Sequence, residues 1–173
     1  AATDYIAALR QASDLSRLPV PRRAIVIGAG NTAIDMAVQL KRLGADEVTL
    51  VYRRGFDAMS ATGHEIDIAK MNFVRIKTWA SPLEVLFDDE GRVAGMRFAE
   101  TRMDEGRLAR TGAFIEIAAD AVFKAIGQAM EAPPELDSLA HSLWQEGERI
   151  VVDAALRTKV PGIYAGGDCV ALG

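Results

Sequence analysis

The stretch 24-AIVIGAGNTAIDMAVQL-40 decides how the rest of the chain is read. Ala24 to Ile27 is a continuous apolar run, as expected of a strand buried on both faces of a parallel sheet. From Thr32 the period changes. Ala33, Ala37 and Leu40 fall on one line with Ile34 and Val38 beside it, the stripe of an amphipathic helix that Gly44 would end. Between strand and helix stands the Gly-x-Gly-x-x-Ala turn Gly28-Ala29-Gly30-Asn31-Thr32-Ala33. Small residues there have separate physical roles: Gly28 permits a tight turn, Gly30 lets the backbone approach a pyrophosphate, and Ala33 lets helix and strand pack closely. The unpaired N–H groups of the helix start, with a partial charge of about +0.5, favour an anion at the same place. Asn31 is expected to cap the helix.

Working outward, 4-DYIAALRQASDL-15 has helical spacing, and Pro19 and Pro21 interrupt it before the first strand. Val48 to Tyr52 reads as a second strand, closing a βαβ unit of about thirty residues. Thr62-Gly63-His64-Glu65 fits a capping box, which predicts a helix over 63–71 followed by a strand over 74–78. After Pro82 the grammar turns antiparallel: strands over 83–87, 93–101 and 114–118, with a 88-DDEG-91 turn and a polar loop between them. An apolar strand over 121–126 ends at Gly127, another covers 150–152, and a last strand begins at Ile163 and runs into glycines. The expected fold is α/β: a Rossmann-like parallel sheet with helices on one side and an inserted antiparallel β-meander.

At 173 residues and 50% hydrophobic content the chain can bury one substantial core. A net charge of −4 argues against nucleic acid as a partner, since a basic face is needed to neutralise phosphates. No apolar run approaches the roughly 20 residues that cross a bilayer, so the sequence reads as cytoplasmic and without a membrane partner. The single cysteine, Cys169, leaves no internal disulfide, dithiol redox pair or thiolate metal site.

The end of the second strand discriminates between nucleotides. An acid there accepts hydrogen bonds from a ribose 2′-hydroxyl, whereas arginine accommodates a 2′-phosphate. This chain has 51-VYRRG-55. A guanidinium pairs with phosphate in a bidentate manner, and hydrogen bonds to charged groups are worth about 1.5–3 kcal/mol. The expectation is NADP(H) over NAD(H), with Arg53 the principal contact and Arg54 or Ser60 in support. NAD(H) remains the alternative if the arginines only solvate the sheet edge.

Other polar residues have simpler roles available. Asp35, one turn into the helix, faces either the cofactor or solvent; an acid near a helix start is favourable through the dipole alone. Glu65 serves the capping box. His64 and His141 have no partner arrangement in the sequence and fit surface or helix-end positions. Cys169 reads as a small apolar residue, and Trp79 and Trp144 as packing residues. No catalytic base and no metal ligand is assigned, which suits hydride transfer, where cofactors do the chemistry and the protein positions them.

The fingerprint Gly28 to Asp35, Val51-Tyr52-Arg53-Arg54, 58-AMSATGHEIDIAK-70, Ala125-Ile126-Gly127-Gln128 and 162-GIYAGGDC-169 together resemble one family over nearly the whole chain. The chain is similar to the NADPH-binding domain of the glutamate synthase small subunit and its relatives, which include the flavin-containing part of dihydropyrimidine dehydrogenase. The resemblance implies that Gly28 to Ala33 cradle the pyrophosphate and that Arg53 and Arg54 meet the 2′-phosphate. It further implies that Ala125, Ile126 and Gly127 lie near the nicotinamide half, and that Gly167 and Asp168 belong to an FAD domain of the same polypeptide. Hydride would pass from NADPH to FAD, and electrons onward to iron–sulfur clusters in the same chain or in a large catalytic subunit. On this reading residues 1–18 are a helix and linker from the FAD domain, 19–160 the nucleotide domain and 161–173 the start of the returning FAD segment. The first FAD fingerprint and the cysteine clusters are absent from these residues, so the chain is expected to be a fragment that binds pyridine nucleotide but does not turn over alone. A dinucleotide-sensing module would share the glycine turn without explaining the meander. A nucleotide-dependent methyltransferase would want an acid where Arg53 stands.

Overall fold

The computed structural model describes residues 2–127, 144–145, 149–167 and 169–172. The chain divides into two units, Ala1–Gly127 and Gln128–Gly173.

In the first unit, α1 (Ala2–Gln11) leads into β1 (Arg23–Ile27), α2 (Asn31–Arg42), β2 (Glu47–Val51), α3 (Gly63–Met71) and β3 (Arg75–Lys77). The meander β4 (Ala80–Phe87), β5 (Val93–Asp104) and β6 (Arg107–Ala118) follows, and β7 (Ala121–Lys124) returns to the parallel sheet. Sheet order is β3-β2-β1-β7, all parallel, and β4-β5-β6 forms a separate antiparallel sheet. Helices on one side and a meander inserted before the last strand match the expected fold class.

Alternation along the parallel strands shows how the layers stack. Ala24 and Val26 of β1, with Val48 and Leu50 of β2, pack against Ile34, Met36, Ala37 and Leu40 of α2. Ile25 and Val51, pointing the other way, pack against Ala80, Met96 and Phe98 of the meander. A strand has side chains on both faces, so a layer on each side explains why 24–27 has no polar position. Tyr5 of α1 meets Phe123 of β7 edge-on at 5.4 Å, which places α1 on the helical side. At the amino-terminal ends of the strands the guanidinium of Arg23 donates to Asp120 at 2.6 Å, and the Arg23 N–H donates to the same carboxylate at 2.9 Å. These bonds hold the Asp120 carboxyl below the usual carboxylate range.

Several boundaries differ from the sequence expectation. The first helix stops at Gln11 because Asp14 accepts from the Ser16 N–H and hydroxyl at 3.0 and 2.7 Å, capping a separate 3-10 turn over Leu15–Arg17. The first meander strand starts before Pro82, at Ala80; β4 is an edge strand, and the irregularity between Pro82 and Glu84 accommodates the missing N–H. The expected polar loop after residue 101 is a hairpin instead. β5 and β6 pair out to Asp104 and Arg107, joined by Glu105 and Gly106 at φ 47° and 79°, the geometry of a tight two-residue turn. β7 ends at Lys124, two residues early.

In the second unit β8 (Trp144–Gln145) pairs antiparallel with β9 (Arg149–Val152), and β10 (Val170–Leu172) pairs parallel with β9. The strand expected from Ile163 is reduced to a single bridge between Tyr164 and Arg157. Gly167, at φ 86°, lies outside the strand region, and regular pairing begins only after it.

Candidate dinucleotide site

The glycine turn sits where the carboxyl ends of β1, β2 and β7 meet, the end of an open α/β sheet at which ligands bind. The Gly28 N–H donates to the Val51 carbonyl at 3.0 Å, and the Ala125 N–H donates to the Ile27 carbonyl at 2.8 Å, so the three strand ends are tied together. Gly28 has φ 148°, and a Cβ there would collide with the Ala125 carbonyl oxygen and lie 3.1 Å from the Ala33 Cβ. The close approach of Ala33 to the turn is the one the sequence suggested; the Ala125 carbonyl is a further reason for glycine at 28 that it did not.

Gly30, extended at φ −94° and ψ 175°, is the helix cap and has no side chain with which to bond the first-turn N–H groups. Asn31 is therefore not the cap expected from sequence: it occupies the first helical position, exposed. The Gly30 carbonyl accepts from the N–H groups of Ala33 and Ile34 at 2.9 and 3.2 Å, leaving those of Gly30, Asn31 and Thr32 without intrahelical partners. A serine or aspartate at the cap would occupy such donors itself; a glycine cap leaves them open to a ligand. The loop after β2 folds back over this turn. The Ala61 N–H donates to the Ala29 carbonyl at 2.9 Å, and the Ser60 hydroxyl lies 3.3 Å from where a Cβ of Gly30 would stand. Ser60 thus neighbours the glycine turn.

Arg53 and Arg54 follow β2 after Tyr52 and are exposed. Their backbone is firmly held: the Tyr52, Arg53 and Arg54 carbonyls accept from the Ala80 N–H at 3.0 Å, the Thr101 hydroxyl at 2.7 Å and the Trp79 N–H at 3.1 Å. Among the described residues neither guanidinium has a carboxylate partner, unlike Arg22, Arg23, Arg75, Arg92, Arg97 and Arg157. The Tyr52 hydroxyl donates to the Ala58 carbonyl at 2.8 Å, closing the loop over its 3-10 turn. Trp79 packs as expected, its indole 2.7 Å from the position of a Cβ on Gly55.

Ala125, Ile126 and Gly127 leave β7 beside the turn; Ile126 is 65% exposed and Gly127 has φ 123°. Gly167 lies in the second unit, where its carbonyl accepts from the Val170 N–H at 3.4 Å. Gln128, His141 and Asp168 fall outside the described residues. Cys169 is half-buried and its thiol donates to the Gly166 carbonyl at 3.2 Å. Asp35 and His64 are exposed, and Thr62 accepts from the Glu65 N–H at 3.3 Å, the forward half of the capping box. Among the described residues no three potential ligands gather for a metal, and no helix is long and apolar enough to cross a membrane. Sequence reasoning missed Thr101, whose one signal was a hydroxyl at the end of an apolar strand.

The model of the pyridine nucleotide-disulphide oxidoreductase family matches residues 1–173. The chain is 34% identical over 163 residues to the NADPH glutamate synthase small chain of Escherichia coli (strain K12), covering 86% of this chain and 34% of that protein. It is 35% identical over 147 residues to ferredoxin–NADP reductase 2 of Shouchella clausii, covering 85% and 40%. With the beta subunit of the NADP(+)-dependent formate dehydrogenase of Moorella thermoacetica it shares 34% over 155 residues, covering 84% and 21%. Among solved structures, T. acidophilum thioredoxin reductase superposes with a TM-score of 0.67 at 25% identity, covering 86% of this chain and 44% of that one. The chain spans between a fifth and two fifths of the length of these curated relatives.

Proposed function

We propose, from the premise that this chain belongs to the pyridine nucleotide-disulphide oxidoreductase family, that it is the NADP(H)-docking domain of a flavin-dependent oxidoreductase. One observation supports this most: a glycine-capped helix whose first N–H donors have no intrahelical partners stands at the same sheet end as two arginines that, among the described residues, have no carboxylate partner. The residues fit the nucleotide at both phosphates. Gly28 and Gly30 admit backbone close to a pyrophosphate, the first-turn donors serve it, and Arg53, with Arg54 or Ser60 in support, meets the 2′-phosphate. Ala125, Ile126 and Gly127 border the nicotinamide half.

When bound, the reduced nicotinamide supplies a hydride and the flavin accepts it. This chain's residues bind and orient: the pinned strand ends fix the turn, and the arginines select the phosphorylated ribose. In the whole protein, Gly167 and Asp168 would contribute to an FAD site. Electrons would continue to iron–sulfur clusters or a large catalytic subunit, as in the glutamate synthase or dihydropyrimidine dehydrogenase arrangement. The names of the relatives, a small chain and a beta subunit, support a role within an assembly.

Calorimetric titration with NADPH and NADH in parallel tests the reading. NADPH should bind at least about tenfold tighter, the worth of one charged hydrogen bond, and FAD alone should give no saturable heat. Equal affinities would replace the reading with an NADH-using relative. Binding of neither nucleotide would leave only a scaffold.

A further inference from the structure

The three successive carbonyls of Tyr52, Arg53 and Arg54 accept from residues of the meander and the residue just before it, and one of these three bonds comes from a side chain. Backbone N–H groups of Ala80 and Trp79 serve Tyr52 and Arg54; the Arg53 carbonyl is served by the hydroxyl of Thr101 at 2.7 Å. Thr101 is 5% exposed, an unusual setting for a hydroxyl unless its hydrogen bond matters. Its own N–H donates to the Trp79 carbonyl at 3.0 Å, and Trp79 in turn lies against Gly55 with its backbone at φ 60°. The β5–β6 register breaks between Ala99 and Thr101, the kind of irregularity that re-aims a side chain.

We infer that Thr101 is a positioning residue for nucleotide selectivity: by holding the Arg53 carbonyl it fixes the peptide plane between Arg53 and Arg54, and with it the direction in which both guanidiniums leave the loop. The peptide is planar, so fixing its oxygen fixes the orientation of the whole unit. Among the described residues neither arginine has a carboxylate partner to orient it, so there the backbone is the source of order for the pair. The inference rests on Arg53 and Arg54 as the 2′-phosphate contacts. It adds that their effectiveness depends on a residue 48 positions away in a different sheet.

The test is titration of wild type, Thr101→Val and Thr101→Ser with NADPH and NADH, with a thermal melt of each. The valine variant keeps the shape and removes the hydroxyl. It should lose about fivefold of the NADPH preference, the worth of one neutral hydrogen bond, through weaker NADPH binding with NADH affinity unchanged. The serine variant should restore the preference. A merely structural role would lower the melting temperature and weaken both nucleotides alike, which overturns the inference, as does an unchanged preference in Thr101→Val. If the valine variant does not fold, Thr101→Ala, which adds no atom to the buried site, is read by the same criteria. Wild type without any preference for NADPH overturns the arginine reading itself and the inference with it; wild-type preference that survives loss of the hydroxyl overturns the inference alone.

Discussion

The carbonyl of Ala125 occupies the space in which a side chain on Gly28 would have to stand. The two residues lie at the ends of neighbouring parallel strands, and their contact sets how closely β7 approaches the turn after β1. Gly28→Ala would combine a backbone at φ 148° with this collision. The expected loss of stability is about 2–5 kcal/mol, strain and overpacking together. A smaller loss of unfolding free energy by urea denaturation would mean the strand ends yield more easily than their hydrogen bonds suggest.

Gly30→Ala should behave in the opposite way. Its φ of −94° is open to any residue, and the added methyl would meet only the Ser60 hydroxyl, at 3.3 Å. Folding stability should change by no more than about 1 kcal/mol. Affinity for NADPH and NADH should fall severalfold and in parallel, because the methyl stands where the backbone is meant to approach a pyrophosphate. Titration beside a denaturation curve separates the two glycines: Gly28 should register in stability and Gly30 in affinity.

Charge reversal at the arginines should act on one nucleotide only. Arg53→Glu is expected to weaken NADPH by at least about tenfold and leave NADH unchanged or slightly tighter. Arg54→Glu should follow in the same direction with a smaller effect. Unchanged discrimination in both variants would assign the 2′-phosphate elsewhere.

Acid should unfold the chain partly through Asp120. Its carboxyl titrates below the ordinary range because of the hydrogen bonds from Arg23, so the folded value lies under the unfolded value of about 3.9. Its contribution is complete above that unfolded value and declines as pH falls through the folded one. Asp88 and Asp153, each bonded by an arginine four residues on, are depressed for the same kind of reason and act in the same window. Asp120→Asn should lower stability at neutral pH and flatten the acid limb of a melting-temperature profile below about pH 4. An unchanged limb would remove the Arg23 pair from the acid response.

How much of this was legible in the sequence follows from how local each cause is. The β1–turn–α2 unit was readable because its apolar run, glycines and helical stripe lie within seventeen residues of one another. The capping box before α3 was readable for the same reason. The outer half of the β5–β6 hairpin was not, because strands that project past the core carry polar residues and lose the alternation that marks a half-buried strand. The available signal was Glu105-Gly106, a turn pair whose glycine tolerates positive φ. Asn31 was misplaced because residue type favours a cap while the preceding glycine had already taken the position. Thr101 left only its hydroxyl at the end of an apolar strand, since a hydroxyl-to-carbonyl bond from one sheet to the loop after another has no spacing to read.

The hairpin that sequence reading took for a loop also offers a handle. Beyond Thr101, residues 102–107 are exposed, and the Glu105–Gly106 turn is shaped by its own backbone rather than by neighbours. A fluorophore attached at that tip would ride on a paired hairpin whose base includes Thr101, bonded to the Arg53 carbonyl. Displacements of the loop on nucleotide binding would then be visible from outside, with no label placed in the site.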